Sequence, residues 1–141
     1  MDELRQQVRL NPKAPSTSQK LAKAQKAIAA AAQAVFGPTA KQLPTVVNVV
    51  HQLAQSAVEE YGAAVAGNQV VEVIEYQDVR GFLLEAQQLL LVAATSEPAA
   101  APQLAAKQQT ISTMLKAFPT VMPPFKTVMG TAQIKTLQEQ L

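Results

Sequence analysis

Apolar residues recur along this chain at the three-and-four spacing of helices rather than the alternate spacing of strands. The strongest run lies between Val46 and Ala94. Its first part carries Val47, Val50, Ala54, Ala57, Tyr61 and Val65 on one stripe; its second carries Val79, Phe82, Ala86, Leu89 and Ala93. Between them stands Ala66-Gly67-Asn68-Gln69, with residue types suited to a tight turn. The pattern predicts an antiparallel helical hairpin. Folding about Asn68 sets residues whose numbers sum to about 136 at equal height, because both arms rise equally per residue. Val47 then faces Leu89, Val50 faces Ala86, Ala54 faces Phe82, Ala57 faces Val79 and Tyr61 faces Glu75. Phe82, set against the small Ala54, is the principal side chain of that seam. Gly62 and Gly81 interrupt the two arms and mark either close helix contact or a slight bend.

Weaker helical patterns flank the hairpin. Leu4 and Val8 suit a short helix that Asn11-Pro12 and Ala14-Pro15 break, so residues 1–15 read as a flexible arm. Ser16-Thr17-Ser18 offers an N-cap for a helix to about Phe36, with Leu21, Ile28 and Val35 seven apart and Gly37-Pro38 as its stop. Pro44 and Thr45 suit the boundary and cap of the first hairpin arm. Residues 95–102 read as a connector. A further helix is expected from about Gln103 to Phe118, burying Leu104, Gln108, Ile111, Leu115 and Phe118. Phe118-Pro119 stops it, Met122-Pro123-Pro124 makes a rigid bend, and Ile134, Leu137 and Leu141 mark a last amphipathic helix. The fold class is all-α: residues 16–141 as one up-and-down four-helix bundle, with the C-terminal helix as a fifth whose apolar face lies on the bundle or on another chain.

Composition narrows the picture. Nearly half of the 141 residues are apolar, but four Phe, two Tyr and no Trp leave a core of small side chains. The absence of Cys removes thiolate metal sites, disulfides and cysteine nucleophiles together. The longest apolar runs, Ala27–Ala32 and Leu89–Ala94, fall far short of the roughly 20 residues that span a membrane. Met1-Asp2-Glu3 lacks the basic-then-apolar pattern of a secretory signal, so the chain is expected to be cytosolic or to follow a signal removed upstream.

The net charge of +2 conceals a split. Residues 42–106 hold seven carboxylates against Arg80 alone, while the flanks hold eleven of the twelve basic residues. Complementary charge between neighbouring helices accounts for this, and so does a concentrated acidic end that attracts cations. Lys20, Lys23 and Lys26 form a basic row with no aromatic residue among them to stack on bases, which argues against a nucleic-acid partner.

The lone His51 lies at the core's edge, at the height of Glu85 by the hairpin arithmetic, and is expected to hydrogen-bond it or a carbonyl. One histidine cannot supply a di-iron site built on two Glu-x-x-His pairs, and zinc sites need more His or Cys. Nucleophile triads, phosphate-binding glycine loops and dinucleotide fingerprints are absent. The chain reads as no enzyme. What remains is oxygen chemistry at the hairpin turn, where Glu59, Glu60 and Tyr61 of one arm meet Glu72, Glu75, Tyr76 and Asp78 of the other. Glu72, Glu75 and Asp78 drift only about 60 degrees per step around a helix, so they share one broad face. Carboxylate oxygens suit iron, manganese, calcium or magnesium, and tyrosinate favours ferric iron. The competing structural role is that Glu72 and Glu75 stabilise a helix start while Tyr61 hydrogen-bonds Glu75, or that Arg80 pairs with Glu72 or Glu59.

The run Glu60-Tyr61, then Ala64-Val65-Ala66-Gly67 with Val70, then Glu75-Tyr76 and Phe82, resembles the extracytoplasmic N-terminal helical domain of bacterial high-affinity iron permeases. The permease's membrane spans are missing, as is its Arg-Glu-x-x-Glu motif: Gly81 follows Arg80 and Glu85 stands at the wrong spacing. The resemblance implies an iron-linked, periplasmic or otherwise extracytoplasmic module, with iron as the cation and a membrane permease as neighbour, rather than a permease. The second reading is a metal-free bundle that docks a protein partner through its acidic hairpin end or its C-terminal helix.

Overall fold

A computed structural model of the chain describes residues 10, 11, 13–37, 39 and 42–141. The arm expected over residues 1–15 lies largely outside them, as does Pro38. The chain divides into two compact units, Met1–Ala40 and Lys41–Leu141, where the sequence pattern places one domain from residue 16 onward.

The first unit contains helix α1, Pro15–Phe36. Pro15 opens this helix instead of breaking the chain before it, because a proline's fixed φ and missing N–H suit the first turn. Ser16-Thr17-Ser18 therefore lies inside the helix rather than at its cap; Ala14 is the N-cap, without a side-chain bond. Thr17 is buried, and its hydroxyl donates to the Asn11 carbonyl at 2.6 Å. At the other end Gly37 takes a φ of 53° and returns its N–H to the Gln33 carbonyl. Within this unit Leu21, Ile28 and Val35 stay exposed, so the stripe expected to be core is not buried there.

The second unit is built on α2, Leu43–Ala64, and α3, Val73–Ser96. Pro44 sits in the first turn of α2, which places Thr45 inside the helix rather than at its cap. The two helices are joined by a minimal β-hairpin, β1 (Val65–Ala66) with β2 (Gln69–Val70), paired Val65 to Val70 and Ala66 to Gln69. Gly67 takes a φ of 62° at the first position of the two-residue loop, where glycine alone is unstrained. The N–H groups of Val71 and Glu72 both donate to the Ala64 carbonyl, at 2.8 and 3.2 Å. That closes the end of α2, whose last carbonyls have no partner within the helix.

α3 ends at Ser96, a single turn of 3-10 helix follows at Pro98–Ala100, and α4 begins at once, Ala101–Leu115. The expected eight-residue connector is thus nearly all helical, since its alanines favour helix and Pro98 and Pro102 both occupy first turns. A long loop then leads to α5, Thr131–Gln138, whose N-cap N–H at Gly130 donates to Gln133 Oε1 at 2.9 Å. α2 packs on α3, α3 on α4, and α5 closes the ring against both α4 and α2. The four-helix bundle therefore comprises α2 to α5. The C-terminal helix is a full member, with Ile134 and Leu141 buried and Leu137 packed against the core.

The core corrects the expected seam by one position on the second arm. The buried row of α3 is Tyr76, Val79, Leu83, Ala86, Leu90 and Ala93; Phe82 and Leu89 are only partly buried. Apolar triplets at Phe82-Leu83-Leu84 and Leu89-Leu90-Leu91 leave the pattern free to rotate by one residue, and packing against α2 and α4 together selects the middle one. On α2, Val46 and Ala64 replace Val47 and Val65 at the ends of the row. In α4, Met114 is fully buried where Leu115 was expected. A Cβ built on Gly62 or Gly81 meets nothing within 4 Å, so neither glycine marks a close helix contact.

Candidate functional site

The hairpin end of the bundle is organised by one aromatic side chain that follows α4. Phe118 is buried between the last turn of α2 and the first turn of α3. Its ring meets Tyr61 edge-on, centroids 5.0 Å apart at 71°, and Tyr76 at 5.1 Å and 49°. Such pairs add about 0.5–1.5 kcal/mol beyond the area they bury. Each tyrosine then spends its hydroxyl on the loop between α4 and α5. Tyr61 donates to the Met129 carbonyl at 2.7 Å and Tyr76 to the Thr120 carbonyl at 3.2 Å, near the loop's two ends. Arg80 Nε donates to the Phe118 carbonyl at 3.2 Å, Gln77 Nε2 to the Val121 carbonyl at 3.3 Å, and the Thr127 N–H to the Asn68 carbonyl at 3.0 Å. The loop is strapped across the hairpin end by side chains from both helices.

The expected bond from Tyr61 to Glu75 is replaced by the bond to Met129. The β-hairpin pairs residues whose numbers sum to 135, one less than the arithmetic about Asn68, and this brings Glu60 rather than Tyr61 to Glu75. Those two carboxyls share a hydrogen bond, and the Glu60 bond and charge raise the Glu75 pKa above its ordinary 4.5. Arg80 is likewise engaged with the Phe118 carbonyl, not with Glu72 or Glu59.

The other acidic residues are spread apart. Glu59 is exposed and accepts from Gln55 Nε2 at 3.1 Å. Glu72 is the exposed N-cap residue of α3, Glu75 lies in the first turn, where a carboxylate favours the helix dipole, and Asp78 is exposed one turn on. Among the described residues, no three His, Asp or Glu side chains gather closely enough to form a metal-holding group. Burial pushes the Tyr61 phenol up to about 12, with a smaller contribution from the nearby Tyr76. Burial also raises the Tyr76 pKa, against opposing contributions from the Arg80 charge and the Thr120 hydrogen bond. Both phenols are held protonated, in the form that donates to carbonyls rather than the phenolate that would bind ferric iron.

His51 lies away from this end, half-buried on α2. Burial, and then the positive charge of Lys107 on α4, hold its pKa below 6.5. The charge that bears on it is that of Lys107, while Glu85 is exposed.

Sequence reasoning did not find Phe118, Gln77 and Arg80 as the residues that bind the loop. Phe118-Pro119 and Met122-Pro123-Pro124 signalled a stop and a rigid bend, but local pattern carries no information about which carbonyls the loop returns to the two tyrosines.

A small all-α bundle, its two-helix hairpin sealed by a polar-strapped loop, is the class that these features define. Residues 38–141 match the family model of the iron permease-associated 4-helix bundle domain, and the chain belongs to that family. No curated protein and no solved structure gives a significant match. Among the described residues, no helix is long and apolar enough to cross a membrane.

Proposed function

We propose that this bundle serves iron uptake outside the cytoplasm, beside a membrane permease, as a binding module and not an enzyme, with iron or a similar hard cation as cargo. The observation that carries the reading is the Glu60–Glu75 pair at the hairpin end of a domain of the permease-associated family. Two adjacent carboxyls offer hard oxygen donors to a cation, which competes with the proton that Glu60 favours on Glu75. Glu59, Glu72 and Asp78 lie on exposed positions of the same end of the bundle and raise the local cation concentration. Tyr61 and Tyr76 fit a structural role better than a ligand role, since ligation would need to break both loop bonds.

Competition with the proton fixes the pH dependence. Glu75 titrates above 4.5 in the folded protein, so cation binding strengthens as pH rises through its raised pKa. The test is calorimetric titration with ferrous, ferric and manganous ions together with thermal melts. A bound ion should raise the melting temperature, and Glu75→Gln with Asp78→Asn should abolish the rise while leaving the ion-free protein equally or more stable. No heat at millimolar ion, with a double variant that is less stable than the parent, would defeat the cation reading.

A second reading, docking of a protein partner, is favoured by the apolar rim of the same end. Val71, Ile74, Met122 and Phe125 are exposed beside the acidic residues, Phe125 at 82 %. The C-terminal helix is the weaker docking candidate, because Ile134 and Leu141 already bury its apolar face in the bundle.

A further inference from the structure

Helix α1 carries an apolar stripe over most of its length and separates it from cationic residues in its first half. From Pro15 to Phe36 it holds Lys20, Lys23 and Lys26 and no carboxylate, and no acidic residue occurs anywhere between Glu3 and Glu59. Leu21, Ile28 and Val35 stand seven apart on one stripe and are exposed within their unit. Lys23 and Lys26 lie about 140–160° around the helix from that stripe on either side of its far face, and Lys20 lies about 80–100° from it on the Lys23 flank. Three aliphatic residues among alanines make a shallow apolar face, too slight to hold a neutral surface unaided, so its partner must also answer the positive charge.

That requirement selects among occupants. Nucleic acid would satisfy the lysines but leave the aliphatic stripe in water, with no aromatic residue to stack on a base. A second copy of the helix would cover the stripe but bring only further lysines. An anionic bilayer surface satisfies both at once, with aliphatic side chains at the boundary of the acyl chains and lysines at the level of the phosphates. α1 is not a spanning segment; lying flat, its 22 residues extend along roughly 33 Å of surface.

We propose that α1 is an interfacial helix that lies on an anionic lipid surface through Leu21, Ile28 and Val35 and is held there by its lysines. This stands apart from the cation reading of the hairpin end, and neither outcome decides the other. The experiment is co-sedimentation of the full chain with phosphatidylglycerol–phosphatidylcholine vesicles and with pure phosphatidylcholine vesicles. Binding is expected to the first and not to the second, weakening steeply as salt is raised. Lys23→Gln with Lys26→Gln should weaken it about thirtyfold, the effect of two basic residues near an anionic surface. Leu21→Ser with Ile28→Ser should remove it while circular dichroism shows the bundle still folded. Absence of binding to either vesicle, equal binding to both, or binding that survives the Leu21 and Ile28 substitutions would overturn the proposal. So would a lipid-independent dimer that those same substitutions dissociate, which would make a second copy the occupant.

Discussion

Tyr61 and Tyr76 are the chain's two tyrosines, and with no Trp present the phenolate absorbance reports on them alone. Both should resist ionisation at the ordinary pKa of 10.0, Tyr61 until about pH 12. A phenol whose folded pKa is raised contributes stability that is fully present below pH 10 and lost as pH rises through about 12. Base titration should therefore show delayed ionisation coupled to loss of the bundle; one tyrosine titrating freely at pH 10 would mean that its loop bond is not made. The row of α3 makes a second prediction at this scale. Leu83→Ala removes a fully buried side chain and should cost about 2–5 kcal/mol, because the cavity relaxes only in part. Phe82→Ala should cost clearly less despite the larger ring, since Phe82 is partly exposed. Urea melts that reversed this order would restore the seam through Phe82.

At the scale of elements, glycine separates what the turn needs from what the helices tolerate. Gly67 holds a φ of 62°, so Gly67→Ala should destabilise the hairpin by about 1–2 kcal/mol although nothing crowds the site. Gly62 is helical, exposed and uncrowded, and Gly62→Ala should stabilise by about 0.5–1 kcal/mol through helix propensity alone. Thermal melts of the two variants should move in opposite directions. The hairpin itself was legible from the turn residues and the three-and-four spacing on both sides. Its register was legible to within one residue, and that one residue decides whether Tyr61 or Glu60 meets Glu75. Helix starts were less legible, because Pro15, Pro44 and Pro102 open helices where the sequence pattern treated them as breaks or boundaries.

Across the whole molecule, the buried apolar residues among those described run from Val46 to Leu141, and the family match covers the same stretch. A fragment of residues 41–141 should therefore unfold cooperatively by circular dichroism with a midpoint near that of the full chain. A broad, non-cooperative melt would mean that residues 1–40 supply part of the core. The sequence by itself determined the all-α class, the helical hairpin and the turn at Gly67-Asn68, since each of these follows from local spacing or composition. Tertiary structure alone decided which leucine of each α3 triplet is buried, that the C-terminal helix completes the bundle, and that Phe118 and the loop after it occupy both tyrosines. Those outcomes depend on contacts between residues some 25 to 70 positions apart, such as Tyr61 with Met129 and Gln87 with Ser112, and local hydrophobic periodicity carries no information about which distant backbone will supply the partner.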